Sequence, residues 1–265
     1  MTHYHIISTV GTSLFENYTE WQKDDVNRRT PIGGNMDALK DKPAAVDPRD
    51  RNAEIIANTV RTWLNDSSAD RSGASAEITS ILKFIEKRST DGAESKNAFT
   101  LHFIATDTAL SKLAMDIICG YLQKKGYVIG IAAVAEGLSL NNIKRYQSKG
   151  FNNLLSLLEK INGKDAGEGK MPPKLIFNIS GGYKGIIPYM TIYAQLRGAL
   201  LCYLYEDSSD LLFIPPLPIT LSLDYCLAKA NALQRSEPGG RAKAVALVEK
   251  SYGLLPSGIQ ITPIS

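Results

Sequence analysis

Cysteine is scarce in this sequence, which has three cysteines among 265 residues: Cys119, Cys202 and Cys226. All three lie in apolar stretches, at no spacing typical of a metal site. The amino terminus has no signal-peptide pattern and runs directly into a strand-like segment. An odd number of cysteines in such a chain excludes a disulfide scaffold and predicts reduced, buried thiols in a cytoplasmic protein.

Histidine is equally scarce, and the chain has no histidine beyond residue 102. The three histidines, His3, His5 and His102, fall in strand-like runs, where a structural role is favoured over catalysis or metal binding. A catalytic cysteine is also disfavoured, because it would need a histidine partner. We therefore expect no metal ion and no cofactor.

Long apolar runs and a strong net charge are both missing. No stretch approaches the ~20 apolar residues that span a bilayer, so no membrane partner is expected. The formal net charge is only +3, which argues against a chain built to coat long nucleic acid but suits a small anionic ligand. Hydrophobic residues make up 44% of the chain, which is enough to form a folded core.

Apolar strand-like segments alternate along the chain with amphipathic helical patterns. Strands are expected at 5–10, 99–105, 127–134, 174–179 and 200–205. Helices are expected at 50–64, 75–87, 108–125, 149–161 and 185–197. Strands that are apolar throughout and separated by amphipathic helices predict a parallel sheet covered on both faces. The predicted fold is α/β, with a Rossmann-like, doubly wound and mainly parallel sheet.

Residues 15–48 depart from this alternation, since they are polar and contain prolines and a Gly33-Gly34 pair. Their composition predicts a long loop with little regular structure. Loops of this length are uncommon in compact domains and often act as lids or binding loops.

The carboxy-terminal part of the chain also changes character. After one more predicted strand at 211–214, two helical patterns at 220–233 and 241–252 are separated by a Pro-Gly-Gly break. We expect a ligand-binding domain at 1–215 and a small, mostly helical extension at 216–265.

A glycine-containing turn follows the first predicted strand and consists of Gly11, Thr12, Ser13 and Leu14. A turn at the carboxyl end of a strand presents backbone N–H groups and, here, two hydroxyls to a phosphate or a ribose. The alternative is an ordinary strand-exit turn in which the hydroxyls cap the backbone locally. These residues alone leave both interpretations open.

A second such turn follows the predicted strand at 174–179: Ser180, Gly181, Gly182, Tyr183 and Lys184. The two glycines allow a tight turn, and Lys184 stands where a helix is predicted to begin. The N–H groups of a helix N-terminus attract anions, and a lysine adds a mobile cation. The spacing matches neither GxxxxGK[ST] nor GxGxxG, so anion binding is favoured over an ordinary turn without support for a nicotinamide cofactor.

Two further turns are less distinctive. Thr106, Asp107 and Thr108 follow the second predicted strand, and Glu136 follows the third. Asp and Thr commonly cap helices, so a purely structural role is an open alternative. Because the carboxyl ends of parallel strands share one edge of the sheet, we expect these residues to lie near the same cleft.

The pairing of the two glycine turns resembles the CARF family, the CRISPR-associated Rossmann-fold proteins of type III systems. The resemblance rests on Ser-Thr-Val-Gly-Thr-Ser-Leu at 8–14 and Asn-Ile-Ser-Gly-Gly-Tyr-Lys-Gly at 178–185, and it covers residues 1–215. It implies a homodimer that binds a cyclic oligoadenylate across its two-fold axis. It also implies that Thr12 and Ser13 belong to one ligand loop, and Lys184 with the three residues before it to the other.

Many members of that family carry an effector, commonly a HEPN ribonuclease with an RxxxxH motif, which this chain lacks after His102. The resemblance therefore implies a standalone ring nuclease that cuts the messenger and ends the signal. In such an enzyme a ribose 2′-OH, positioned by Ser13 or Thr12, attacks the adjacent phosphorus, and Lys184 stabilises the developing charge. The product is a 2′,3′-cyclic phosphate, and no metal is needed. The alternative is a non-cleaving sensor that regulates a partner protein or transcription; the ring size, four or six adenylates, is left open.

Overall fold

The structure is a computed structural model. It describes residues 2–23, 30–45, 50–90, 96–139, 142–163, 173–182, 184–205 and 210–217. Tyr183, Cys226 and the predicted carboxy-terminal helices lie outside the described residues. The division of the chain after residue 215 therefore stays a prediction.

Six strands of the described residues form one sheet. They are β1 (Tyr4–Val10), β2 (Phe99–Thr106), β3 (Val128–Ala135), β4 (Lys174–Asn178), β5 (Leu200–Leu204) and β6 (Leu211–Ile214). Their order across the sheet is β3-β2-β1-β4-β5-β6. β1 to β5 are parallel, and β6 runs antiparallel to β5. The predicted Rossmann-like, mainly parallel α/β fold is confirmed, and every predicted strand is present.

Helices occupy most of the connections. The described α-helices are α1 (Ser13–Lys23), α2 (Gly33–Leu39), α3 (Arg51–Leu64), α4 (Ala76–Thr90), α5 (Ala109–Lys124), α6 (Ile143–Arg145), α7 (Phe151–Gly163) and α8 (Ile187–Leu196). Short 3₁₀ helices span Lys96–Ala98 and Lys184–Ile186, and a π-helical segment spans Tyr146–Gly150. α3 begins where Asp50 caps it by accepting hydrogen bonds from the N–H groups of Asn52 and Ala53.

The prediction of a long loop at 15–48 is wrong for much of that segment, because the segment contains most of α1 and all of α2. Leu14, Phe15 and Tyr18 recur at helical spacing and are buried. This apolar periodicity outweighs the polar composition of the segment. The Gly33-Gly34 pair opens α2 instead of interrupting a loop.

Both faces of the sheet are covered, as the apolar strands predict. On β1, Ile6 and Val10 pack with α1, α3, α4 and α5, whereas Ile7 packs with α7 and α8. Side chains alternate between the two faces along a strand, so one buried strand contributes to both cores. The chain builds β2 and β3 on one side of β1 and then returns to place β4 on the other. The connections on the two sides of β1 therefore run in opposite directions across the sheet, and their helices cover opposite faces.

The two described cysteines behave as the sequence predicts. Cys119 and Cys202 are buried and free. Burial raises the pKa of each thiol from the ordinary value of 9.0 to about 12, and the carboxylate of Asp116 adds to this effect at Cys119. A thiol with so high a pKa is a poor nucleophile at neutral pH.

His5 and His102 lie on β1 and β2, and His3 directly precedes β1, so all three are away from the carboxyl edge of the sheet. His5 and His102 are buried, with ring centroids 4.8 Å apart, and His102 Nδ1 accepts a 2.9 Å hydrogen bond from the backbone of Ile131. In the part of the chain that the structure describes, no group of three or more His, Cys, Asp or Glu side chains is placed to hold a metal ion. No helix of that part is long and apolar enough to cross a membrane.

Candidate functional site

The candidate site lies at the carboxyl edge of the sheet, between β1 and β4. The strand order reverses between these two neighbours, because β2 and β3 lie on one side of β1 and β4 and β5 on the other. The loops that leave β1 and β4 therefore diverge and open a crevice. Parallel α/β sheets bind their ligands at such a switch point. Both glycine turns singled out in the sequence leave the sheet here.

The two glycine turns are in direct contact. Thr9 Oγ1 donates a 2.7 Å hydrogen bond to the carbonyl oxygen of Gly181. A Cβ built on Gly11 would lie 3.1 Å from the Cα of Gly182, and one built on Gly182 would collide with Thr9. Gly182 also has φ +92°, a left-handed conformation that other residues rarely adopt. Glycine is therefore required at Gly182, whereas a side chain at Gly11 would force the backbone of the second turn to shift slightly.

A cleft of about 670 Å³ opens in front of the two turns. Several of the predicted site residues line it: Gly11, Thr12, Thr106, Thr108, Gly182 and Lys184. They come from the ends of β1, β2 and β4, three strands that are adjacent in the sheet. The cleft therefore combines glycine backbone, hydroxyl groups and a lysine.

Lys184 is exposed and opens a 3₁₀ turn at the edge of the cleft. The α-helix behind it begins only at Ile187, with Pro188 in its first turn. The predicted helix at 185–197 is confirmed, with a 3₁₀ turn in front of its α-helical part. The lysine side chain supplies a positive charge at this edge of the cleft.

α2 forms the outer wall of the cleft through Met36 and Asp37, and Lys40 follows at its end. Glu16 of α1 also lines the cleft. The sequence analysis missed these residues because it treated their segment as a loop. With Lys184, the described lining residues carry two lysines and two carboxylates, and they include no histidine.

The hydroxyls of the first turn are already hydrogen-bonded to carboxylates. Thr12 Oγ1 donates to Glu16 at 2.8 Å, and Ser13 Oγ donates to Glu77 at 3.1 Å. Ser13 is partly exposed and, unlike Thr12, is not among the residues that line the cleft. Leu14 is fully buried in the core, so its side chain packs under α1 and does not face the cleft.

The three predicted residues at the end of β2, Thr106, Asp107 and Thr108, lie in two different places. Thr108 caps α5 by accepting from the N–H of Ser111, and its Oγ1 lies 3.2 Å from Thr106 Oγ1. Asp107 points away from the main cleft. Its Oδ2 accepts from Gly137 N at 2.8 Å and pairs with Arg145 at 3.4 Å, beside a small recess of about 120 Å³.

Ser180 and Glu136 lie at strand ends but not among the residues that line the main cleft. Ser180 Oγ donates to Asn178 Oδ1 at 2.7 Å and accepts from the N–H of Leu204 at 2.8 Å. Glu136 is exposed and pairs with Lys149 at 3.0 Å. In this arrangement Ser180 braces the second turn against β5, and Glu136 lies on the outer surface.

A larger cleft, of about 1020 Å³, lies away from the strand ends, beside α1 and α3. Trp21 and Trp63 line it, but the guanidinium of Arg71 already lies 4.7 Å and 5.1 Å from their ring centroids. That cation–π cluster accounts for the aromatic wall without a ligand. The cleft at the strand ends is the better candidate because polar groups from three strands converge there.

Comparison with known protein families identifies a CRISPR-associated family. Residues 72–217 match the family model described as CRISPR-associated protein (Cas_APE2256). The match begins just before α4, includes β2 to β6 and contains the second glycine turn; β1 and the first turn precede it. Since the matched stretch is more than half of the 265 residues, the chain belongs to the CRISPR-associated Cas_APE2256 family.

Proposed function

We propose that this protein binds a cyclic oligoadenylate in the cleft at the β1–β4 switch and cleaves it without a metal ion, ending type III CRISPR signalling. The observation that carries the proposal is the convergence of Gly11, Thr12, Gly182 and Lys184 on one cleft of about 670 Å³. Glycine backbone, a hydroxyl and a lysine are the groups that hold phosphate and ribose. Membership of a CRISPR-associated family supports the biological setting.

The chemistry proposed needs little from the protein beyond positioning. The ribose 2′-hydroxyl gives its proton to water as its oxygen attacks the adjacent phosphorus, the P–O5′ bond breaks, and the 5′-oxygen takes up a proton from water. The ring opens into a linear product with a 2′,3′-cyclic phosphate at one end and a 5′-hydroxyl at the other. In this proposal Lys184 stabilises charge on the phosphoryl oxygens, and Thr12 or Ser13 orients the 2′-OH. Without a histidine among the described lining residues, the reaction lacks a strong general base and should be slow.

The proposal includes a homodimer, because a ring with two-fold symmetry fits between two copies of one site. α8 is apolar around most of its circumference, and its Tyr189 and Ile192 are 49% and 59% exposed. A helix that is hydrophobic on all sides is normally covered. We propose that a second copy of the chain covers this face, which lies directly behind the Lys184 turn.

A non-cleaving sensor is the second candidate, and one observation favours it. The hydroxyls of Thr12 and Ser13 both donate to carboxylates of the protein itself. If these bonds persist with ligand bound, the 2′-OH is held but not deprotonated. The protein would then report the ligand to a partner or to DNA.

Incubation with cyclic tetra-adenylate and cyclic hexa-adenylate in EDTA, followed by mass spectrometry, tests the proposal. Linear fragments ending in a 2′,3′-cyclic phosphate are the expected products of one ring. Binding of a ring that stays intact would establish the sensor instead. A protein that neither binds nor cleaves either ring would overturn both candidates.

A further inference from the structure

Glu77 connects the two glycine turns from within the core. It lies in the first turn of α4 and is 1% exposed. Its Oε1 accepts a 2.8 Å hydrogen bond from Gly11 N, and its Oε2 accepts the bond from Ser13 Oγ. A Cβ built on Gly181 would collide with the same carboxylate, so Glu77 also rests against the second turn. One buried side chain therefore contacts both loops of the candidate site.

Hydrogen bonds hold the side chain of Glu77 in place. Among the described residues, no lysine or arginine forms an ion pair with Glu77. Its partners are instead the N–H of Gly11 and the hydroxyl of Ser13, which meet it in the first turn of α4. A buried carboxylate with few partners holds each of them firmly, because losing one leaves a buried acceptor unsatisfied.

The bond to Glu77 determines what Ser13 can offer to a ligand. A serine hydroxyl has one hydrogen to donate and two lone pairs to accept with. The hydrogen is directed to Glu77, and one lone pair faces the N–H of Ala76 at 3.4 Å. Ser13 is partly exposed as a residue, and what remains at its oxygen is one acceptor position. A ribose hydroxyl can donate to it, whereas a phosphate oxygen cannot.

We infer that Glu77 is a positioning residue that fixes Ser13 as a hydrogen-bond acceptor for a ribose 2′-hydroxyl of the ligand. This rests on the proposed function and adds a specificity to it: the first turn selects ribose over 2′-modified sugars through the direction of one hydrogen bond. The second turn, with Lys184, then takes the phosphate. Glu77 acts through Ser13 and touches no reacting atom.

Exchanging Glu77 for glutamine reverses this polarity at almost unchanged volume. In Glu77→Gln the amide oxygen still accepts from Gly11 N, while the amide nitrogen becomes a donor toward Ser13 Oγ. The serine hydrogen is then released and no longer points into the core. The 2′-hydroxyl of the ligand, which required an acceptor, now faces the hydrogen of the Ser13 hydroxyl, so the preference for a 2′-hydroxyl is lost.

The experiment compares binding of the cyclic adenylate that the protein recognises with binding of the same ring carrying 2′-fluoro sugars, which cannot donate. Equilibrium dissociation constants are measured for wild type, Glu77→Gln and Ser13→Ala, with mass spectrometry confirming that the ring is intact. Glu86→Gln is the matched control, since it makes the same change at an exposed position of the same helix. Thermal melting checks that each variant is folded.

Wild type and Glu86→Gln should prefer the ribose ring by about three- to tenfold, the effect of one hydrogen bond. Glu77→Gln and Ser13→Ala should bind both rings with similar affinity. A folded Glu77→Gln that keeps the wild-type preference overturns the inference, as does a wild type without any preference that still binds and cleaves the ring. If wild type binds neither ring, the proposed function itself has failed.

Discussion

The hydroxyl of Thr9 donates a 2.7 Å hydrogen bond to the carbonyl oxygen of Gly181, a residue 172 positions further along the chain. Both groups are buried, so water cannot replace either partner, and breaking the bond would leave an unsatisfied polar atom. Together with the contact between Gly11 and Gly182, it joins the exits of β1 and β4 into one rigid unit. The floor of the cleft is therefore preorganised before any ligand arrives.

Replacing Gly182 with alanine should destabilise the fold strongly. The new Cβ would collide with Thr9, and alanine disfavours φ +92°, so we expect a loss of about 2–4 kcal/mol in the free energy of unfolding. Urea denaturation measures it. Gly198→Ala is the matched control, because Gly198 has φ +62° but no atom near its Cβ position. Equal losses in the two variants would show that the turns do not pack as described.

Lys184→Ala should reduce cleavage much more than it reduces ring binding. In the proposed mechanism the lysine stabilises charge that develops in the transition state, and losing one such group slows a reaction by about 10²–10³-fold. Single-turnover rates and dissociation constants separate the two effects. Lys40→Ala, which removes the other lysine that lines the cleft, should change the rate by less than about tenfold. A wild-type rate in Lys184→Ala would remove this residue from the mechanism.

Asp107→Ala should destabilise the protein by about 1–3 kcal/mol, since it removes the partner of Gly137 N and of Arg145 from a largely buried position. Glu136→Ala should change stability by no more than about 0.5 kcal/mol, because its ion pair is exposed. Chemical denaturation of both variants tests the contrast. Similar losses would contradict the structural role assigned here to Asp107.

Cys119 and Cys202 should resist thiol reagents in the folded protein. With a pKa of about 12, each thiol is ionised to only about 0.01% at pH 8, against about 10% for an ordinary thiol. Titration of a Cys226→Ser variant with a chromogenic disulfide, before and after unfolding, measures this. Folding raises the pKa of both thiols above 9.0. The contribution of the two protonated thiols to the free energy of unfolding is therefore complete below pH 9 and is lost as the pH rises toward 12. Rapid labelling of the native variant at pH 8 would contradict the burial.

Ile192→Glu should convert the proposed dimer into a monomer, since a charge would replace an apolar side chain in the covered face of α8. Light scattering after size-exclusion chromatography measures the mass. Leu212→Glu on β6 is the control, because Leu212 is similarly exposed, at 55%, but lies outside α8. A dimer that survives in Ile192→Glu would place the interface elsewhere.

Predictions from the sequence succeeded where the signal was local and periodic. The apolar strands and the amphipathic patterns of α3, α4 and α5 were found because each element reveals its buried face within its own residues. The segment at 15–48 was misjudged because its glycines, prolines and polar residues were weighted above the spacing of Leu14, Phe15 and Tyr18. That error also concealed Met36, Asp37 and Lys40, which form a wall of the cleft.

The sequence by itself determined the α/β alternation and the two glycine turns, because helix and strand periodicity and the need for glycine in a tight turn are properties of neighbouring residues. Only the tertiary structure decided which polar groups meet. It joined Glu77 to Gly11, 66 residues apart, and turned Asp107 toward Arg145 instead of into the main cleft. Such pairings depend on strand order and on the packing of helices against the sheet, and no short stretch of sequence encodes either one.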